Sequence, residues 1–165
     1  MQNVDFTKMG VALAEHLKAD EGIKTFCNDA FGKDVAILVG DPTDSLLPTA
    51  NDAPYIFLWG FRKAENITTN KAAEYTVNCG LGVYVLDDSE TESGIVISGN
   101  FERLGQFERV VQHALYLYKD GCKPPATVEA EIIGALESDN RHWIANITAT
   151  WQEPQTLGVG EITDF

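Results

Sequence analysis

The chain has 165 residues, 44% of them apolar, so it holds enough material for one domain with a real core. Asp and Glu number 25 against 12 Lys and Arg, a formal charge of −13; tight duplex binding, which draws on basic groups that displace counterions, is not expected. No apolar run nears the roughly 20 residues of a bilayer span, and the opening Met-Gln-Asn-Val-Asp-Phe-Thr-Lys lacks the basic-then-apolar pattern of a secretory signal, so a soluble, non-secreted protein is expected.

The first predicted element is a helix from Thr7 to Ala19. Asp5 or Thr7 can cap it, and Phe6, Met9, Leu13 and Leu17 recur at helical spacing on one face. Gly22 is read as its end, with Ile23 and Phe26 packing beneath the turn. Val35 to Val39 is a short apolar strand between Gly32 and Gly40. Asp41-Pro42-Thr43-Asp44 and Pro48 to Asp52 are turn chemistry within a long loop.

Ala53 to Phe61 is the strongest strand signal. Strict alternation places Tyr55, Phe57, Trp59 and Phe61 on one face and Ile56 and Leu58 on the other. With both faces apolar, the strand is either central or covered by another subunit. A long strand follows from Ala73 to Val85, its buried face including Cys79, with Gly80 and Gly82 predicting a bulge or bend. Asp87, Asp88, Glu90 and Glu92 form an acidic loop, and Ile95–Val96–Ile97 is a short strand or lid.

A second helix is predicted from Glu102 to Lys119, capped by Asn100 and stopped by Gly121. Two strands close the fold, Val128 to Leu136 and Trp143 to Trp151, joined by a hairpin at Glu137 to Asn140. The expected fold class is α+β: a mainly antiparallel sheet with two helices on one face. Residues 1–152 are read as a single domain and 153–165 as a C-terminal tail.

No motif commits the chain to catalysis. Gly80-Leu81-Gly82 lies inside a strand pattern, which is the wrong context for a dinucleotide loop. Cys27, Cys79 and Cys122 lack zinc-ligand spacing, and the acidic loop lacks an EF-hand frame. His16, His113 and His142 are scattered. Glu129 and Glu131 share one strand face, which suits either a wet surface or paired-carboxylate chemistry. Neither a cofactor nor a metal is expected. The aromatic row is read either as core or as a subunit interface, together with Trp151, because aromatics are enriched at buried interface centres.

The element order resembles the tail-terminator and tail-completion proteins of long-tailed bacteriophages. The carriers are the early helix, the strand ending in Gly40-Asp41-Pro42, the Pro-rich loop and the Ala-Pro-Tyr-Ile-Phe-Leu entrance at Ala53–Leu58. The long strand, the helix Glu102–Tyr118 and a return strand from Arg141-His142-Trp143 to Trp151-Gln152-Glu153-Pro154 complete the pattern. The acidic stretch after Leu86 and Ile95–Val96–Ile97 lie outside it. The resemblance implies a non-enzymatic virion protein, assembled in the host cytoplasm. It would form a ring, usually of six copies, at the head-proximal end of the tail, contacting tail tube and neck proteins. Tyr55, Phe57, Trp59, Phe61 and Trp151 would then lie at subunit interfaces. Asp87, Asp88, Glu90 and Glu92 would line a bore through which DNA passes without specific binding. Other readings are a head-completion, stopper or tube protein, or a small hydrolase or ligand-binding domain using Glu129, Glu131 or His142.

Overall fold

The computed structural model describes residues 5–43, 46–64, 73–118, 124–136 and 139–153. Two helices, α1 (Phe6–Ala19) and α2 (Glu21–Phe31), lead into β1 (Ala36–Val39), β2 (Tyr55–Ala64) and β3 (Ala73–Tyr84). A two-residue pair, β4 (Ser89–Glu90) and β5 (Val96–Ile97), precedes α3 (Gly99–Tyr116); β6 (Thr127–Leu136) and β7 (Asp139–Glu153) follow. The main sheet has the order β1-β2-β3-β7-β6. β1 runs parallel to β2 and every other neighbour is antiparallel. The fold is α+β with a mainly antiparallel sheet, as expected, but the described residues hold three α-helices where the sequence pattern suggests two.

The extra helix comes from Asp20. Its backbone is extended, so α1 stops there, while its carboxylate accepts from the Ile23 amide at 2.9 Å and starts α2. Gly22, read as a helix end, therefore lies inside α2, which ends at Gly32 in the left-handed region. Asp5 caps α1 by accepting from the Lys8 amide at 3.1 Å. The cap of α3 is Ser98, not Asn100. Asn100 is buried, and its amide bonds both the N–H (2.8 Å) and the C=O (3.0 Å) of Val85, tying the helix to the end of β3.

All three helices face one side of the sheet. Leu13 and Leu17 of α1, Ile23 and Cys27 of α2, and Leu104, Phe107 and Val111 of α3 form one buried cluster with the sheet's inner residues. Those include Ile56, Leu58, Val77, Cys79, Ala145 and Ile147. α1 meets the sheet closely because residue 10 is glycine: a Cβ there would lie 2.9 Å from Phe61 and from Val39.

The predicted bulge at Gly80 and Gly82 is absent; both pair in unbroken register with β7 and β2. Gly82 is a glycine because an aromatic ring lies over it, while a Cβ on Gly80 would meet Phe57 and Trp59 at ordinary contact distance. A Cβ on Gly82 would overlap the Tyr55 ring. The register shift occurs on β2 instead, between Trp59 and Arg62, where Gly60 has φ +63°.

Gly82→Ala is expected to destabilise the protein by about 1–3 kcal/mol through overpacking against Tyr55. Gly105→Ala, where a Cβ meets nothing within 4 Å, is expected to stabilise α3 by about 0.5–1 kcal/mol. Urea midpoints of the two variants check the opposite signs.

Candidate functional site

The aromatic row does not share one face. Tyr55, Phe57 and Trp59 lie on the side away from the helices, where Tyr55, Phe57 and Ala53 form a small second core with Ala36, Leu38, Trp59 and Ile144 around it. The bulge at Gly60 then shifts the alternation, and Phe61 packs on the helix side against Gly10 and Phe6. Trp151 also belongs to the helix-side core, edge-on to Tyr118 at 6.2 Å. The five residues expected at a common interface are thus split between two faces.

The second core closes on the chain's own segment. Tyr55 and Phe57 are 4% and 5% exposed. Ala53 and Pro54 are buried, and Leu46 and Phe57 flank Gly40. Local bonds shape this segment: Asp41 accepts from the Thr43 amide (2.8 Å) and hydroxyl (2.6 Å), and Asp52 accepts from the Thr49 amide (2.7 Å) and hydroxyl (3.0 Å). Tyr55 shares a 3.0 Å hydrogen bond with the buried His142, whose ring stands edge-on to it. Farther along the same face a polar ladder takes over. Thr148 donates to Asn78 at 2.8 Å, and the Asn146 amide donates to Asn78 at 3.2 Å. The register carries Glu129 and Glu131 onto this face, opposite Thr148 and Asn146.

β6 is the open edge. Of its ten residues only Val128, Gly134 and Leu136 are half-buried; the rest are exposed. They include Ile132 at 37% and Ile133 at 58%. Lys, Arg and Pro, which commonly discourage pairing at an edge, are absent from Thr127–Leu136. A register shift between Ile132 and Gly134 leaves Ile133 as an extra residue.

Asp87, Asp88, Glu90 and Glu92 are all exposed at the end of the sheet where β3 finishes. They are not equivalent. Asp88 accepts from the Gly99 amide at 3.1 Å, so it neutralises an orphan donor at the start of α3. Ser89 donates to Glu102 at 2.9 Å, and Arg141 donates to the Leu86 carbonyl at 2.8 Å. Beside these acids the apolar side chains of Leu86, Ile95, Val96 and Phe101 are also exposed.

Of the residues of the hydrolase reading, Glu129 and Glu131 share a face as expected, but His142 is not brought to them. His142 lies four residues, roughly 13 Å, along β7 from Asn146, the partner of Glu131. His16 donates to the Ala114 carbonyl at 2.7 Å, and His113 is exposed. Among the described residues no three His, Cys, Asp or Glu side chains are grouped to hold a metal ion, and no helix is long and apolar enough to cross a membrane. Cys122, the hairpin residues Glu137 and Ser138, and the tail from 154 to 165 lie outside the described residues.

Sequence reasoning missed Asn100, which the pattern offered as a cap, and the exposed length of β6, which its alternation of Glu and apolar residues disguised as an ordinary half-buried strand. No protein-family model matches the chain, and no curated protein is significantly similar to it in sequence.

Burial pushes the Cys27 and Cys79 thiols up to about 12 from an ordinary 9.0. Burial, then the Asp52 charge, pushes the Tyr55 phenol up to about 12 from 10.0. All three groups stay protonated in the folded protein while the unfolded chain releases the protons earlier. Their contribution to stability is therefore full below pH 9 and is lost as pH rises from 9 towards 12. Denaturant midpoints across that window should show the decline, and Cys79→Ala should flatten part of it, after allowance for its lower starting stability. Asp88→Ala is expected to cost about 1 kcal/mol, whereas Glu90→Gln with Glu92→Gln should stay within about 0.5 kcal/mol, by thermal melts.

Proposed function

We propose that the protein is a structural subunit that assembles into a ring, and that this ring is the terminator of a bacteriophage tail. The observation that carries the assembly half is β6, a ten-residue edge strand exposed along most of its length, unguarded by basic residues or proline, with Ile132 and Ile133 in solvent. A subunit whose two sides differ in this way makes heterologous contacts, which close into a ring when the rotation per copy permits. The virion half rests on the element order set out above.

The aromatic residues take a smaller part in this reading than their sequence pattern suggests. Tyr55, Phe57, Phe61 and Trp151 build the subunit, and Trp59 is the member of the group on the open face that remains half-exposed. The acidic loop fits a bore: six copies at −13 each carry about −78, and Asp87, Glu90 and Glu92 are exposed carboxylates that would repel passing DNA. The neck and the tail tube are the proposed partners above and below, and the protein acts without catalysing a reaction.

Light scattering on the purified chain is expected to find a discrete assembly, about 109 kDa for six copies of 18.1 kDa. A mass of one chain at about 100 μM would overturn the ring. In particles carrying the assembly, imaging should place it at the head-proximal end of the tail. Asp87→Asn, Glu90→Gln and Glu92→Gln together should slow genome release, with Asp88 left intact because it accepts from the Gly99 amide at the start of α3. Unchanged release would remove the bore from the reading.

A further inference from the structure

The exposed edge of β6 needs an occupant, and the topology selects one. We infer that β6 of one copy pairs antiparallel with the outer edge of β1 in the next copy, so that the five-stranded sheets join into one continuous sheet around the ring. The inference rests on the ring reading and names its contact.

Three features of the molecule lead there. The first is direction. β1 runs with β2, β2 against β3, β3 against β7, and β7 against β6. β1 and β6 therefore run oppositely at the two borders of the sheet. Copies standing side by side, the same way up, bring β6 against β1 in the antiparallel sense, the more stable pairing.

The second is the state of β1. Its ladder to β2 uses the Ala36 amide, which donates to Pro54, and the Gly40 amide, which donates to Leu58. The alternation of a parallel ladder then aims the N–H and C=O groups of Ile37 and Val39 away from β2. Every residue of β1 is half-buried, as suits a border strand open on one side.

The third is charge. On the face away from the helices β6 presents Glu129 and Glu131, while β1 presents Ala36 and Leu38. Joined to β1, the two carboxylates meet uncharged neighbours. The competing arrangement, β6 against β6 about a two-fold axis, would crowd four carboxylates onto one face of the new pair, where like charges destabilise. On the helix side Ala130 and Ile132 would come level with Val39 and Ile37, extending the apolar layer across the junction.

The test uses the full chain with Ile133→p-benzoylphenylalanine, the extra residue at the register shift, which is already 58% exposed. Irradiated at a concentration where light scattering shows the assembly, it should crosslink to a second copy within residues 33–42, read by mass spectrometry of digests. Crosslinks within 127–136 would overturn the inference in favour of a two-fold pair. Crosslinks within 154–165 would overturn it in favour of the tail as occupant, and their absence from an intact assembly would also overturn it. In the last two cases the ring itself stands, whereas a two-fold pair with a mass of two chains would remove the ring as well. A chain that stays single at every concentration removes the ring and this contact together. As a second variant, Ile132→Lys with Ile133→Lys should weaken self-association at least ten-fold with a melting temperature close to that of the parent. Unchanged association would count against β6 as the contact.

Discussion

A sheet has two faces and two edges, and among the described residues helices cover one face only. That constraint orders the rest of the molecule. α1, α2 and α3 fill the inner face with aliphatic and aromatic side chains that are fully withdrawn from water. The outer face is treated in two ways. Near the start of β2, Tyr55 and Phe57 are buried beside the chain's own segment around Leu46 and Ala53–Pro54. Farther along, Asn78, Asn146 and Thr148 bond one another and leave the face polar. The open parts of the sheet are then its two borders, β1 and, exposed along most of its length, β6.

The bulge at Gly60 is the hinge of that arrangement. Before it, β2 sends its aromatics outward to the second core; after it, Phe61 turns inward and wedges between α1 and the sheet. One glycine with positive φ thus divides the aromatic row between two cores and allows α1 to approach at Gly10. The arrangement also explains why β3 carries a glycine at 82, in register with Tyr55, where a side chain would collide with the ring.

Much of the fold was legible in the sequence because period-two and helical patterns report burial directly. The strand at Tyr55, the long strand through Cys79, the helix of Leu104 and Phe107 and the closing hairpin strands all lie where the pattern puts them. What was not legible depended on single backbone angles and on long-range neighbours. Asp20 serves two helices at once, which periodicity blurs into one helix and a turn. Alternation cannot reveal the slip at Gly60, so period two puts Phe61 on the wrong face, and it cannot show that Trp151, offered as an interface residue, packs against Tyr118. The acidic loop was legible as exposed, but not the bond that commits Asp88 to the Gly99 amide. Tertiary partners decide these cases, and they are separated from the residues they fix by many positions in sequence.

We propose that β6 is a border strand covered by a second copy. Hydrogen–deuterium exchange measured across protein concentration tests it most directly. The claim predicts that amides in 127–136 exchange fast in dilute protein and slow markedly as concentration rises, while those of β3, already paired on both sides, remain slow throughout. If β6 exchanges at one rate from dilute to concentrated protein, no strand adds to this edge and the claim is wrong.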